Sequence, residues 1–261
     1  MDRPDTSVRL LAFAAILATL LVAEWRRPLV DPPPRRGVVR LHNLALGTIG
    51  ALAVRLLLPW IAIDAAMWAQ NRGVGLAPLL QLPTALAGVA GFLALDLAVY
   101  LQHRAFHRLR WLWRLHAVHH SEAHLDATTG LRFHPAELLI SMLWKTAVVV
   151  ALGVPAVAVL SFEVALNAMA LVTHANLGLS TGVDRIARRL LVTPLMHRRH
   201  HSTALSESLH NFGFNLTLWD RAFGTYDPRW TSPGQPPIGL PGVAVTVEPG
   251  LWSMLSLTFR Y

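Results

Sequence analysis

Apolar residues dominate this chain in long runs, which short polar or proline-rich stretches separate. Three runs, at about residues 8–25, 44–68 and 79–101, are long enough to cross a bilayer core, which needs roughly 20 apolar residues. Two more runs between residues 136 and 171 meet at a Gly-Val-Pro turn and predict a helical hairpin that enters and leaves on one side. The pattern therefore predicts an all-α, integral-membrane helical bundle of about three spans plus a helical hairpin.

Prolines and charged residues indicate where these helices end or bend. Three prolines follow the first run, which ends in a poor signal-peptide cleavage site, so we expect a retained first helix. Arg55 interrupts the second run and should either snorkel to the membrane surface or face the bundle, and Pro59 should kink the helix nearby. Glu163 in the hairpin needs a polar partner, for which Asn167 and Lys145 are the candidates.

The composition supports a membrane protein and limits its chemistry. Hydrophobic residues make up 53% of the 261 residues and charged residues only 15%, which is unusual for a soluble domain. The chain has no cysteine, which excludes disulfides, thiolate metal sites and an iron–sulfur cluster within it. The net charge of +8 comes mainly from arginines that flank the apolar runs, so it favours anionic lipid head groups over nucleic acid.

Twelve of the thirteen histidines lie between His103 and His210, in groups with helical spacing. Residues 103–120 contain H-x3-H followed by H-x2-H-H, a second H-x2-H-H occupies 197–201, and His174 lies between them. Residues three and four apart share one helix face, so we expect each group to point its imidazoles at one place. Imidazole is a common transition-metal ligand, and this number exceeds the needs of one tetrahedral ion. The sequence therefore predicts a histidine-rich helical cap with two metal ions, bound by His103, His107, His116, His119, His120, His174, His197, His200 and His201.

Residues near these groups are candidates for supporting roles. Asp96 shares a helical stripe with the first histidine pair, so it either accepts a hydrogen bond from a ligating imidazole or pairs with Arg104 or Arg55. His124 lies in a polar loop and is expected to be exposed. A Thr-Pro pair ahead of the second H-x2-H-H predicts the start of a helix that carries those histidines.

The ordered motifs between about residues 96 and 226 resemble the fatty acid hydroxylase and sterol desaturase superfamily, membrane oxygenases with a histidine-bound di-iron centre. In order, they are DLAVYLQHRAFH, LWRLHAVHHS, TGLRFHPAE, THANLG, PLMHRRHHS and NFGFNLTLWDRAFGTY. The resemblance implies two iron ions, for which zinc is an acceptable replacement, and hydroxylation or desaturation of an unactivated C–H bond of a lipid with O2. The lipid would be a fatty acyl chain, a sterol or another isoprenoid.

The resemblance also implies roles for further residues and a division of the chain. His134 and His210 become additional candidate ligands, and Asn211, in the Asn-aromatic-Gly element of the family, becomes a candidate to support a ligand. We expect one membrane-embedded domain, with membrane helices in residues 1–95, a catalytic core in 96–226 and a C-terminal tail in 227–261.

Electrons must come from a separate partner, because the chain has no cysteine for an iron–sulfur cluster and no G-x-G-x-x-G fingerprint for a nucleotide cofactor. A ferredoxin or a cytochrome is the expected donor. Arginines beside the histidines could form its docking face or could bind lipid phosphates: Arg104, Arg108, Arg110, Arg198 and Arg199.

Charge asymmetry predicts which way the bundle faces. Five arginines (26, 27, 35, 36 and 40) follow the first run, against Arg72 alone after the second. By the positive-inside rule the first loop is cytoplasmic, which brings every histidine group and the C-terminus at Tyr261 to the cytoplasmic side. The N-terminus is then expected across the membrane.

A membrane metal protein that is not an oxygenase is the alternative, either a metal or haem carrier or a metal-dependent hydrolase. Carriers place ionisable residues near the bilayer midplane or use isolated histidine pairs, whereas these histidines cluster at the membrane edge. A hydrolase needs an acidic general base, for which Glu122 and Glu137 are near enough in the sequence.

Overall fold

A computed structural model describes residues 4–229, 237–240 and 250–260, and within these ranges the chain is helical with three isolated β-bridges. The helices are α1 Pro4–Arg26, α2 Arg36–Leu57, α3 Ala62–Arg72, α4 Leu76–Leu79, α5 Thr84–Arg108, α6 Arg110–His120, α7 Pro135–Leu152, α8 Ala156–His174, α9 Thr181–Ala187, α10 Pro194–His200, α11 Leu205–Ser208, α12 Leu218–Ala222 and α13 Leu251–Ser256. Two 3-10 turns, Ala127–Leu131 and Leu257–Phe259, complete the order.

Five segments are long and apolar enough to cross a membrane: Ser7–Arg26, Arg36–Leu79, Thr84–Arg108, Pro135–Leu152 and Ala156–His174. Only 11% to 39% of the most apolar window of each segment is buried inside the protein. A bundle that leaves so much apolar surface exposed needs lipid around it, because water would not solvate that surface favourably. The predicted all-α integral-membrane bundle is confirmed.

The second predicted run is a broken span rather than one bent helix. The chain leaves the helical conformation between α2 and α3, around Pro59, because proline lacks the N–H that a continuous helix requires. The segment runs parallel to α7: Gly50 packs on Leu138 near the start of α7, and Gly75 abuts Gly153 at its end. Arg55 is exposed on the outer surface of α2 and does not face the bundle.

The hairpin forms as predicted, with α7 ending at Gly153 in the left-handed conformation (φ 65°) and α8 beginning at Ala156. Glu163 finds the predicted partner Lys145 across the hairpin and a second partner, Arg9, on α1. This ion triad, in which Glu163 is buried and both cations are half-buried, ties α1 to both arms of the hairpin. The apolar core beneath it contains Leu95 and Phe162.

All the predicted histidine groups lie at one end of this bundle. That end is formed by the last turns of α5 and α8, by α6 and α10, and by the turn Ala127–Leu131. The turn packs against α8 so closely that a Cβ on Gly130 would lie 2.3 Å from the Ala170 carbonyl oxygen. Tyr261 and residues 230–236 and 241–249 of the expected C-terminal tail fall outside the described residues, so the division of the chain at residue 227 stays a prediction.

Candidate metal centre

The nine histidines predicted as ligands form two buried groups. The first histidine cluster contains His103, His107, His116, His120 and His200, and the second contains His119, His174, His197 and His201. Within each cluster, one ring nitrogen of every member lies within 4.8 Å of the others. Metal binding by these residues stays a prediction, but the number of clusters equals the number of ions that the sequence predicts.

The expectation that each H-x2-H-H points at a single place is wrong. His116 and His120 of the first box belong to the first cluster, whereas His119 belongs to the second. The second box is divided at the same positions but with the clusters exchanged: His197 and His201 join the second cluster, and His200 joins the first. Consecutive helical residues are rotated by about 100°, so each box pairs residues four apart toward one cluster and turns the remaining histidine toward the other.

The helix that carries the second box begins where the sequence predicted. Thr193 is the N-cap residue, with its hydroxyl oxygen accepting from the Met196 backbone N–H at 3.4 Å, and Pro194 is the first helical residue. Because α10 is only two turns long, this cap fixes the direction in which its histidines leave the backbone.

In the second cluster, four Nε2 atoms converge. The His174 Nε2 lies 2.9, 3.0 and 3.2 Å from those of His197, His119 and His201. His174 Nδ1 donates to the Ala170 carbonyl oxygen at 2.6 Å, which leaves a lone pair on the inward Nε2. If two nitrogens each lie about 2.1 Å from one ion and the nitrogen–ion–nitrogen angle is a right angle, the nitrogens are about 3.0 Å apart. The observed spacing therefore fits a shared ion.

The first cluster fits a metal ion for a different reason. His103 Nδ1 donates to the Phe212 carbonyl oxygen at 2.8 Å, and His200 Nδ1 donates to the His210 carbonyl oxygen at 2.9 Å. Both rings then carry a lone pair on Nε2, yet these two atoms face each other at 3.1 Å. Two lone pairs at that distance repel each other, and a cation between them removes the repulsion.

Several buried ring nitrogens have no hydrogen-bond partner in residues 4–229, 237–240 and 250–260, which extends this argument. They are Nε2 of His107, His116 and His120 in the first cluster, and Nδ1 of His119, His197 and His201 in the second. An unsatisfied buried polar atom costs free energy, so three inward Nε2 atoms in one cluster are best explained as metal ligands.

Burial also sets the protonation state that a metal needs. It is the main reason why the pKa values of His119, His120 and His201 lie well below the ordinary range, and why the pKa of His200 falls to about 3. Neighbouring imidazoles act in the same direction on all four rings. The rings are therefore neutral at neutral pH, as metal ligation requires.

Glu137 supports the first cluster, a role that the sequence reasoning missed. Its Oε1 lies 2.7 Å from His116 Nδ1, so it accepts a hydrogen bond that turns the His116 Nε2 lone pair inward. A carboxylate behind a ligating histidine is a common arrangement that orients the ring and raises its basicity. The fragment His-Pro-x-Glu contained the signal, since it places this carboxylate in the first turn of α7.

Asp220 also escaped the sequence reasoning. Its two carboxylate oxygens accept from the backbone N–H groups of Phe212 and Gly213, each at 2.8 Å, and from the Thr225 hydroxyl at 2.7 Å. These bonds hold the peptide whose carbonyl oxygen receives the proton of His103. Asp220 therefore positions a candidate ligand through the backbone.

Asn211 and Asp96 make contacts other than those expected for ligand support. Asn211, in the left-handed conformation (φ 56°), exchanges side-chain hydrogen bonds with the backbone of Asp227, and none of its side-chain hydrogen bonds to described residues goes to an imidazole. It fixes the chain one residue before the Phe212 carbonyl. Asp96 accepts from Trp219 Nε1 at 2.9 Å, so among the described residues it bonds neither the imidazole nor the arginine expected. Its hydrogen bond joins α5 to α12 instead.

The two carboxylates considered as hydrolytic bases are already engaged. Glu122 is fully buried and accepts from Arg36 at 3.0 Å and from Arg132 at 3.3 Å. Glu137 is engaged by His116. Glu122 is therefore not free to activate water, whereas Oε2 of Glu137 has no hydrogen-bond partner among the described residues. The alternative of a metal-dependent hydrolase then depends on Glu137 alone.

The remaining histidines lie outside both clusters. His134 caps α7 by accepting from the Ala136 backbone N–H at 3.2 Å, and His210 contributes only its carbonyl oxygen, which binds His200. His124, expected to be exposed, is half-buried because the polar loop around it folds against α2. Burial and the charge of Arg36 lower its pKa to about 4. His42 lies on α2, away from the clusters.

The five arginines predicted to line one face do not share it. Arg108 and Arg110 are exposed, and Arg104 lies over the ring of Tyr100 at 5.6 Å. Arg198 and Arg199 are buried, the latter in an ion pair with Asp227. Only the α5–α6 corner therefore offers exposed arginines from this set.

Comparisons with known proteins identify the family to which this histidine-rich chain is similar. A model of the fatty acid hydroxylase family matches residues 88–225, slightly more than half of the chain. An ornithine lipid hydroxylase from Rhizobium tropici is 34% identical over 62% of this chain and 48% of its own length. Alkylglycerol monooxygenases from Danio rerio and Homo sapiens are 31% and 27% identical, each over 53% of this chain and 30% of their own length. No solved structure matches significantly.

Proposed function

Because the chain belongs to the fatty acid hydroxylase family, we propose that it is a membrane di-iron oxygenase that hydroxylates an unactivated C–H bond of a lipid. The observation that carries this proposal is the pair of all-histidine clusters at one end of an apolar bundle. Hydroxylation is favoured over desaturation because the relatives are named as hydroxylases and monooxygenases. The chain spans about half or less of the length of these relatives, so their activity supports the proposal without deciding it.

The nine clustered histidines would hold the two ions, and when bound, iron would supply the activation of O2 and the attack on the C–H bond. The protein itself would exclude water, because most cluster members are fully buried. Glu137 and the carbonyl oxygens of residues 170, 210 and 212 would keep their histidines in the correct tautomer by accepting the outer proton. The apolar ends of α5 and α8 would present the lipid chain to the clusters.

Metal analysis combined with isotope labelling tests this proposal. We expect about two iron ions per chain in the active protein, with zinc as a replacement after overexpression. In a reaction with 18O2, the hydroxylated lipid should contain one 18O atom from the gas. Product oxygen that comes from water, or full turnover without O2, would contradict the proposal.

We further propose that electrons arrive from a separate ferredoxin or cytochrome. The exposed corner at Arg108 and Arg110, close to His107, is the face that suits an acidic donor. Turnover with a soluble donor should then fall as salt rises, whereas turnover with a chemical reductant should not. Turnover with NADPH alone would refute the need for a partner.

The cytoplasmic orientation of the clusters is a proposal from the arginine distribution. Arg36 and Arg40 of the first loop lie at the histidine end, where they bind Asp126. Reporter fusions at residues 2, 74 and 261 test the orientation. We expect a cytoplasmic signal at 261 and signals from the opposite side at 2 and 74; the reverse result at 261 would overturn it.

A further inference from the structure

Beside the second histidine cluster lie three buried side chains, each with at least one hydrogen-bond donor that has no partner among the described residues. Arg198 is 4% exposed, and its one hydrogen bond within the described part of the chain is a long one from Nη2 to Asn176 Oδ1, at 3.4 Å. Arg36 is 6% exposed and its Nη2 has no partner. Nε2 of His124 is buried and has none either. Such donors are rarely left unsatisfied in a native structure.

These groups are close neighbours in the hydrogen-bond network. Arg36 Nη1 and the His124 backbone N–H donate to the same oxygen of Glu122, at 3.0 and 3.4 Å. On the other side, Asn176 bonds Arg198 through its side chain and Glu24 through its backbone N–H, at 2.8 Å. Arg198 follows the predicted ligand His197 directly, so the donors border the second cluster.

The local charges do not balance. Three carboxylates, Glu24, Glu122 and Asp126, are each in an ion pair with at least one of three guanidinium groups, Arg36, Arg40 and Arg132. Arg198 is the fourth guanidinium, and none of its nitrogens lies within ion-pair distance of a described carboxylate. Burying an unpaired charge is costly. A water molecule could satisfy the donors, but only an anion would also neutralise the charge.

We propose that Arg198, Arg36 and His124 form a binding site for an oxyanion, a phosphate or carboxylate group, of the head group of the lipid substrate. Guanidinium groups bind such oxygens in pairs, and the free donors of Arg36 and Arg198 are of this kind. A head group held next to His197 would fix which part of the lipid reaches the second cluster. The substrate class would then be acidic lipids. This inference rests on the proposed function.

The test measures binding of three probes to the full-length protein in neutral detergent: dioctanoyl phosphatidic acid, dioctanoylglycerol with the same chains, and inorganic phosphate. Metal content is determined in every sample. We expect the wild type to bind the phosphatidic acid about tenfold or more tightly than the uncharged lipid. Arg198→Gln and His124→Leu should remove most of this preference. Arg114→Gln, which removes an exposed charge on α6 at the same end of the bundle, should keep it.

Equal binding of the two lipids, or an unchanged preference in both His124→Leu and Arg198→Gln, would overturn the proposal. So would an equal loss in Arg114→Gln, which would indicate general charge attraction. Inorganic phosphate that binds as tightly as the phosphatidic acid would assign the site to free phosphate instead of a lipid. If Arg198→Gln fails to fold or loses metal, His124→Leu decides alone. Selective lipid binding by a metal-loaded protein that makes no oxygenated product would contradict only the proposed function.

Discussion

The two histidine clusters have similar composition but are held in different ways. In the first cluster, His103, His116 and His200 each donate their outer proton to a carbonyl or carboxylate oxygen. In the second, where only described residues are considered, His174 alone makes such a bond to the main chain, while the outer nitrogens of the three other rings have no partner. Hydrogen bonds to surrounding groups therefore orient the rings of the first cluster. The rings of the second cluster depend mainly on packing and on the metal ion that they would share. Ligands without outer hydrogen bonds bind a metal less tightly, so the second ion should be the more weakly held.

The largest expected effect is the loss of one ion at a time. We expect His120→Ala to lose the ion of the first cluster and His201→Ala that of the second, each with activity at background, because both rings are buried among the candidate ligands. Iron per chain, measured after purification, should fall from about two toward about one in each variant. His42→Ala, outside both clusters, is the control. Full metal content in both cluster variants would refute the ligand assignment.

Metal removal should make the protein sensitive to acid. A histidine whose pKa is lower in the folded than in the unfolded chain contributes stability that is present above about pH 6.5 and is lost as the pH falls below it. This applies to His119, His120, His200 and His201. The unfolding temperature of the chelated protein should drop steeply between about pH 7 and pH 5. A flat profile would show that the rings are not buried as described, in which case the comparison between clusters fails.

Glu137→Ala should separate the two clusters. The variant removes the acceptor behind His116, and loss of such an acceptor typically lowers metal affinity by about 10- to 100-fold. Titration with a chelator should then release the ion of the first cluster first, which reverses the order expected for the wild type. Glu137→Gln retains an acceptor oxygen and should show a smaller change. Equal weakening of both ions would contradict the distinction.

The smallest effect is expected at His134. His134→Ala removes the cap of α7, which should cost about 1 kcal/mol of stability. Both ions should remain, because His134 belongs to neither cluster. Thermal unfolding with parallel iron analysis measures both quantities; loss of an ion would return His134 to the set of candidate ligands.

Some of these features were predictable from the sequence because they depend on local pattern. Apolar runs predict spans since lipid requires about 20 such residues in a helix, and the hairpin follows from its Gly-Val-Pro turn. The nine histidines were identifiable by number and spacing, and Thr193-Pro194 marked the start of their last helix. The positions of these residues along the helices also placed them all at one end of the bundle.

Other features depend on contacts between distant parts of the chain, and no local pattern contains them. The cluster that each part of a divided histidine box joins follows from the relative rotation of α6 and α10, which packing against α5 and α8 determines. The loop that looked polar and exposed is buried, because arginines from α2 lie opposite its Glu122 and Asp126. Asp220 positions His103 through the backbone of Phe212, which lies 109 residues after His103 in the sequence.

The sequence alone therefore determined the membrane bundle, the likeness to the fatty acid hydroxylase family and the residues able to bind metal, because hydrophobic period and histidine spacing are properties of neighbouring positions. The tertiary structure alone decided which histidine joins which cluster, what holds each ring, and why Arg198 has no carboxylate partner among the residues that the structure describes. The physical reason is that ring orientation and charge balance depend on hydrogen bonds and ion pairs between separate helices, whose relative positions only the packed bundle sets.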